Sequence, residues 1–360
     1  MRYVFFTNTP AHVHLYRHAI ERLDDMGHEV TVLARDYGCT IELLEYFELP
    51  HVIYGSCNPS KGSLFVHLPG HYFRIARAVR RLRPDVAFGI GAYAAHASAL
   101  ARCRCVLVID SEPTTLDHRI SRPFADVMLT PASFRRDLGP KHFVFDGFKE
   151  SAYLHPDVFT PDPSVRDELG VAPDERFVLV RFNAFGSHHD IGHSGFPPER
   201  RVELVEKLAA EATVFVSDEG EHVDLDAVDA RPFELHPARL HDALAAAELL
   251  VADTQTMVTE AALLATPAVR SNSFVGADDM GNFIALEQAG LIHNAETFEE
   301  AVSVAVELAG DPTTREIWRS RRDEFVDGMT NLTELLVEIA TGAATVEAVA
   351  DSLRSIDTAT

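Results

Sequence analysis

Lysine is nearly absent from this chain: Lys61, Lys141, Lys149 and Lys207 are the only ones among 32 basic residues, which face 55 acidic ones. The formal charge of −23 repels polyanions and argues against a nucleic acid partner. Cysteine is sparse too. Cys39, Cys57, Cys103 and Cys105 cannot make a disulfide framework, and the Cys103/Cys105 spacing inside an apolar stretch suits buried strand thiols better than a zinc knuckle. No apolar run approaches the roughly 20 residues of a membrane span. The chain opens directly into Arg2-Tyr3-Val4-Phe5-Phe6 without a basic leader, so a cytoplasmic location is expected.

A carboxylate-rich, lysine-poor surface resembles that of proteins from salt-accumulating microbes, haloarchaea above all. There, screening over about 3 Å at molar salt relieves the self-repulsion. A melting temperature that rises with KCl is expected; an ordinary acidic protein would show a flat or falling dependence.

What is present is a repeated alternation of short apolar runs and helical periodicity over 360 residues, enough for two domains. Tyr3 to Phe6 reads as a buried strand. Thr7-Asn8-Thr9-Pro10 makes a turn, and Val13, Tyr16, Ile20 and Leu23 recur at helical spacing before the strand Glu29 to Arg35. The pattern continues through strands at Val52, Val86, Val106 and Val127. Pro156, Pro161 and Pro163 then interrupt it, and a second series starts at Phe177 and runs through strands at Thr213, Leu249 and Ala268. The fold class expected is α/β: two Rossmann-like doubly wound domains facing a cleft. The boundaries are residues 1–150 for the first domain, 151–168 for a linker, 169–312 for the second domain and 313–360 for C-terminal helices that cross back.

The sharpest local signal is Ala252-Asp253-Thr254-Gln255-Thr256, followed by Glu260. A buried strand ending in a hydroxyl-rich turn that opens a helix directs backbone N–H groups and hydroxyls at one spot, which suits a phosphate. Glu260 is placed for ribose hydroxyls; the alternative is a capped helix with a solvated Glu260. Arg181, at the end of the strand from Phe177, and Arg270, at the end of the strand from Ala268, are candidate phosphate partners or structural ion pairs. In the first domain, His12 and His14 follow the first strand. Positions i and i+2 diverge on a helix, so one of them at most faces the ligand, as a general base or a hydrogen-bonding group. Asp110-Ser111-Glu112 follows another strand, so Asp110 and Glu112 are candidate bases or helix caps. His188-His189-Asp190 with His193 sits among glycines, so a lid near Arg181 and Asn183 is preferred to a metal site.

The segment from Ala252 to Pro267 resembles the donor-binding signature of sugar-nucleotide enzymes of the GT-B fold, UDP-N-acetylglucosamine 2-epimerases especially. With Thr7 to His14, Gly147 to Pro156 and Arg270 to Gly276, the chain also resembles, end to end, the archaeal and bacterial family of domain of unknown function 354. The resemblance implies that Thr254, Gln255 and Thr256 meet a diphosphate, Glu260 a ribose, and His12 the role of the histidine after the glycine-rich turn in lipid-linked sugar transferases. Gln255-Thr256 replace the Gly-Gly of the epimerases. Ala92-Tyr93 stand where epimerases carry Gly-Asp-Thr, and Arg181-Phe182-Asn183 lacks the histidine of that chemistry.

The function expected is glycosyl transfer from a nucleotide sugar to a lipid-linked or other acceptor. The alternatives are a 2-epimerase or nucleotide-sugar hydrolase, and a non-enzymatic sugar-nucleotide-binding protein. No cofactor and no metal is expected, so chelation should leave turnover unchanged. The Arg-rich stretch Arg74-Ile75-Ala76-Arg77-Ala78-Val79-Arg80-Arg81 is either a solvated helix face or a contact with anionic lipid, limiting any membrane association to a peripheral one.

Overall fold

The computed structural model describes residues 1–56, 63–183, 194–220, 223–276 and 279–342, the side chains of 63–66 excepted. It divides into two compact units, Met1–Val158 with Gly328–Thr360, and Phe159–Asp327.

Unit 1 begins with β1 (Arg2–Thr7), α1 (Pro10–Asp25), β2 (Glu29–Asp36), α2 (Thr40–Tyr46), β3 (His51–Ser56) and α3 (Ser63–Leu82). It continues with β4 (Val86–Gly89), α4 (Ala92–Ala101), β5 (Arg104–Val108), α5 (Thr115–Ser121), β6 (Val127–Pro131), β7 (His142–Phe145) and α6 (Ser151–Leu154). The seven strands form one sheet in the order β3-β2-β1-β4-β5-β6-β7, and every pairing is parallel. Tyr3, Val4, Phe5 and Phe6 are buried because helices cover both faces of β1. Cys105 is buried on β5, and burial pushes its thiol up to about 12, so it is inert. On α3, Ile75 and Val79 turn into the core while Arg74, Arg77, Arg80 and Arg81 are exposed.

Unit 2 holds α7 (Val165–Glu168), β8 (Phe177–Phe182), α8 (Arg201–Ala209), β9 (Thr213–Asp218), β10 (Arg231–Pro232), α9 (Leu240–Ala246) and β11 (Leu249–Ala252). It is completed by α10 (Thr256–Leu263), β12 (Ala268–Arg270), α11 (Gly281–Gln288), β13 (Ile292–Asn294), α12 (Phe298–Gly310) and α13 (Thr314–Val326). Its parallel sheet runs β10-β9-β8-β11-β12-β13. Val178, Val180, Leu204, Leu208, Val251 and Phe298 meet in a core between the sheet, α8 and α12. The sheet therefore continues past β12, where the apolar pattern of the sequence ends.

The expected linker, 151–168, begins with α6, all four residues of which are buried in unit 1, while the chain enters unit 2 at Phe159. Helix α13 belongs to unit 2, where Trp318 Nε1 donates to the Leu291 carbonyl at 2.7 Å. The chain then returns to unit 1 as α14 (Leu332–Thr341). There Thr333 Oγ1 donates to the Ala152 carbonyl (2.6 Å) and Tyr3 Oη to that of Ala340 (3.0 Å). Gly147 lets this return strand close in: its φ is +147°, and a Cβ there would meet Met329 Cγ at 3.0 Å. Among the described residues no helix is long and apolar enough to cross a membrane.

Candidate functional site

In each sheet the strand order reverses direction beside the first strand of the series, between β1 and β4 in unit 1 and between β8 and β11 in unit 2. Loops leaving the carboxyl ends of two such strands diverge and leave a mouth, the usual place for a ligand in a doubly wound domain.

At the unit 1 mouth the backbone of Asn8 is a hub. Its carbonyl accepts from Arg35 Nε (3.1 Å) and Nη2 (2.9 Å), its side-chain oxygen accepts from Tyr54 Oη (2.6 Å), and its N–H donates to His12 Nδ1 (3.1 Å). That last bond fixes the tautomer: with Nδ1 an acceptor, the proton of neutral His12 sits on Nε2. Burial, with Lys149 adding to it, pushes the His12 pKa down to about 3. His12 is therefore a neutral hydrogen-bond donor, and the nitrogen a general base would use already carries its proton. His14, the second candidate, is buried against Tyr153 and Phe47.

Asp110, beyond β5, forms an ion pair with Lys149, which also lies 3.5 Å from Glu150. Glu112 is buried and accepts the Arg135 N–H at 3.4 Å. An aromatic wall completes the mouth. His71 Nε2 faces the Ser56 carbonyl at 3.1 Å and its Nδ1 faces Tyr93 Oη at 2.9 Å, so this ring too is held in one tautomer, with burial lowering its pKa. The amino end of α4 is closed to a phosphate: the Asp117 carboxylate accepts the Ala92 N–H (3.1 Å), and a Cβ at Gly91 would strike it at 2.0 Å.

The unit 2 mouth has another character. Thr254, Gln255 and Thr256 are partly exposed where β11 turns into α10. Helix α10 has no side-chain cap and no acidic residue in its first turn. Thr254 Oγ1 is a buried oxygen without a hydrogen-bond partner among the described residues. Asp253 builds the turn rather than a ligand site. Its carboxylate accepts the N–H groups of Asn183 (2.7 Å) and Phe196 (3.1 Å), and Asn272 Nδ2 donates to its carbonyl (3.0 Å). Burial raises its pKa to about 6 although Arg201 lies 3.8 Å away.

The other sequence candidates of unit 2 have protein partners. Arg270 is 0% exposed, ion-paired with Asp279 and stacked 3.7 Å over the Phe283 ring, so its guanidinium serves the interior. Arg181 is drawn to the β9 side by Ser217 and Glu219. Glu260 is buried, with His241 Nε2 at 3.1 Å from its carboxylate. The stretch His188-His189-Asp190 with His193 lies outside the described residues, and among those described no group of three or more His, Cys, Asp or Glu is placed to hold a metal ion. Sequence reasoning gave no role to Arg35, Tyr54, Lys149 or His241. For Lys149 a signal existed, since lysine is so scarce that one beside Gly147-Phe148 stands out.

A family model described as Glycosyltransferase Family 4 matches residues 13–133, all within unit 1. No curated protein matches the chain. Solved structures match nearly end to end. A candidate UDP-N-acetylglucosamine 2-epimerase from Listeria monocytogenes is 14% identical with a TM-score of 0.67, the match covering 94% of this chain and 95% of that one. The UDP-GlcNAc 2-epimerase of Neisseria meningitidis, solved with UDP-GlcNAc bound, is 12% identical with a TM-score of 0.63, covering 95% and 99%. The glycosyltransferase SnogD from Streptomyces nogalater is 16% identical with a TM-score of 0.58, covering 96% and 100%. The chain thus has two parallel-sheet α/β domains of the GT-B kind, the first of them matching a glycosyltransferase family model.

Proposed function

We propose that the protein is a glycosyltransferase that takes a nucleotide sugar at the unit 2 mouth and an acceptor at the unit 1 mouth. The observation that carries this reading is the junction of β11 and α10, where a buried Thr254 hydroxyl, without a partner among the described residues, lies at a helix amino end that has no side-chain cap. Such a junction supplies hydrogen-bond donors and a favourable dipole to a diphosphate. Thr254, Gln255 and Thr256 bind the diphosphate. Glu260, oriented by His241, meets the ribose. Arg181 and Arg270 are left to hold the domain.

In unit 1, His12 donates a hydrogen bond from Nε2 to the reacting sugar or phosphate. Asp110 and Glu112 are the carboxylates offered to the acceptor proton. Lys149 neutralises Asp110, which favours Glu112 as the base. Catalysis then rests on positioning plus one proton transfer. The same reading includes kinship with the family of domain of unknown function 354, a salt-rich cytoplasm as the working environment, and no resident metal.

The test is a thermal-shift screen in about 2 M KCl against nucleotides and nucleotide sugars, with wild type, Thr254→Val and Glu260→Ala. A shift with one nucleotide class, reduced in both variants, is the expected result. No shift with any nucleotide contradicts the reading. Conversion of UDP-GlcNAc to its 2-epimer without acceptor would replace transfer by epimerisation at the same mouth.

A further inference from the structure

Unit 1 contains a cavity of about 590 Å³ between α5, the turn Arg122–Phe124 and the β6–β7 connection. Nothing in the proposed transfer uses it. Its size is that of a small-molecule site. Arg119, Arg122, Arg136 and Lys141 line it, with Asp137 as the one carboxylate. Asp137 is committed to the loop itself: it accepts the Gly139 N–H at 2.7 Å and lies 3.6 Å from His142 Nδ1. Lys141 is partly satisfied by the Ala125 carbonyl (2.6 Å) and by Asp126 at 3.9 Å.

Among the described residues Arg119, Arg122 and Arg136 make no ion pair, although acidic side chains outnumber basic ones 55 to 32 in this chain. Arg119, Arg122, Arg136 and Lys141 face Asp137 as the one carboxylate of the lining, so the cavity carries a net positive charge that attracts an anion. Gly139 has φ +95°, and a Cβ on it would fall 2.5 Å from Arg122 Nη2, so the loop backbone abuts the guanidinium. Leu138 N–H donates to His142 Nδ1 (3.1 Å), and Thr130 Oγ1 holds the other ring nitrogen of His142 at 2.7 Å. These bonds fix the loop that carries Arg136.

We propose that this cavity is an anion site that takes a phosphate or diphosphate group. Arginine forks bind phosphate oxygens in pairs, while Met128 and Leu138 offer apolar wall. The phosphate belongs either to a lipid headgroup or to a soluble phosphate ester. The inference is independent of the donor reading.

Titration calorimetry with inorganic pyrophosphate tests it, using wild type, Thr254→Val, Arg119→Gln and the double variant Arg122→Gln/Arg136→Gln. Binding that survives Thr254→Val and weakens at least about tenfold in the double variant is expected, since each lost charged hydrogen bond costs about that factor. Arg119→Gln, the milder change, keeps the test open should the double variant not fold, and should weaken binding in the same direction. Absence of pyrophosphate binding in wild type, or equal affinity in the arginine variants, overturns the proposal. Co-sedimentation with phosphatidylglycerol vesicles and not with phosphatidylcholine, lost in Arg122→Gln/Arg136→Gln, assigns the phosphate to a lipid; pyrophosphate binding without vesicle binding assigns it to a soluble ester.

Discussion

The two mouths occupy the same topological position and have opposite chemistry. In unit 1 the amino end of α4 is filled by the Asp117 carboxylate, and the neighbouring groups are ionic or tautomerically fixed: Lys149 with Asp110, Arg35 on the Asn8 carbonyl, His12 with its proton on Nε2. In unit 2 the amino end of α10 has no side-chain cap and no acidic residue in its first turn. One strand–turn–helix geometry can thus be closed by an internal carboxylate or left open for an external anion. Function follows from the side chains at the turn and not from the fold.

The largest effect that sharpens this contrast concerns arginines. Arg270 is wholly buried with Asp279, so Arg270→Ala leaves a buried carboxylate uncompensated and should cost unit 2 about 3–5 kcal/mol. The single tryptophan, Trp318, lies in unit 2 and reports this as a lower urea midpoint in fluorescence. An unchanged midpoint would return Arg270 to the list of ligand-binding candidates.

Next in size is the role of His12. His12→Ala should lower kcat by about 10²-fold, the loss typical of one well-aimed donor. His12→Gln, which keeps an N–H near the Nε2 position, should retain most of it. Equal losses in the two variants would make His12 a base and erase the distinction between a fixed donor and a titrating group.

An effect of similar size comes from Asp253. Its folded pKa of about 6 exceeds the ordinary carboxylate value because burial disfavours the charge. The folded state therefore holds a proton that the unfolded chain has released. This contribution is fully present below about pH 4 and is lost as pH rises through 6, a change of up to about 3 kcal/mol. The difference between wild type and Asp253→Asn, followed by Trp318 fluorescence from pH 4 to 7, isolates it; parallel pH curves would show that Asp253 ionises normally. Smallest is Arg181→Ala, expected to cost under about 1 kcal/mol because its pair with Glu219 is partly solvated. A loss as large as that of Arg270→Ala would show that Arg181 also serves the interior.

Much of this architecture can be read from the sequence. The runs Tyr3 to Phe6, Val106 to Val108, Phe177 to Val180 and Leu249 to Ala252 are apolar on both faces, and only a covered parallel sheet accommodates that. β7 and β13 escape such a reading because they have four and three residues, some of them polar and half exposed, and become strands only by pairing with β6 and β12. The Thr254-Gln255-Thr256 turn is legible because strand, hydroxyls and helix follow in immediate succession. The surroundings of Glu260 and Arg270 are not, because these charges look ligand-facing until His241 and Asp279 come beside them through tertiary packing. The tautomer of His12 is likewise invisible in the sequence, since it depends on which way the Asn8 N–H points.

The division of labour between the mouths is tested most directly by the affinity for the nucleotide sugar that stabilises the protein, measured by titration calorimetry on wild type, Thr254→Val and His12→Ala. The account predicts about tenfold weaker binding in Thr254→Val, the cost of one lost hydrogen bond at a charged group, and affinity within about twofold of wild type in His12→Ala with kcat about 10²-fold lower. Full affinity in Thr254→Val together with loss of binding in His12→Ala would contradict it, placing the donor at the unit 1 mouth instead.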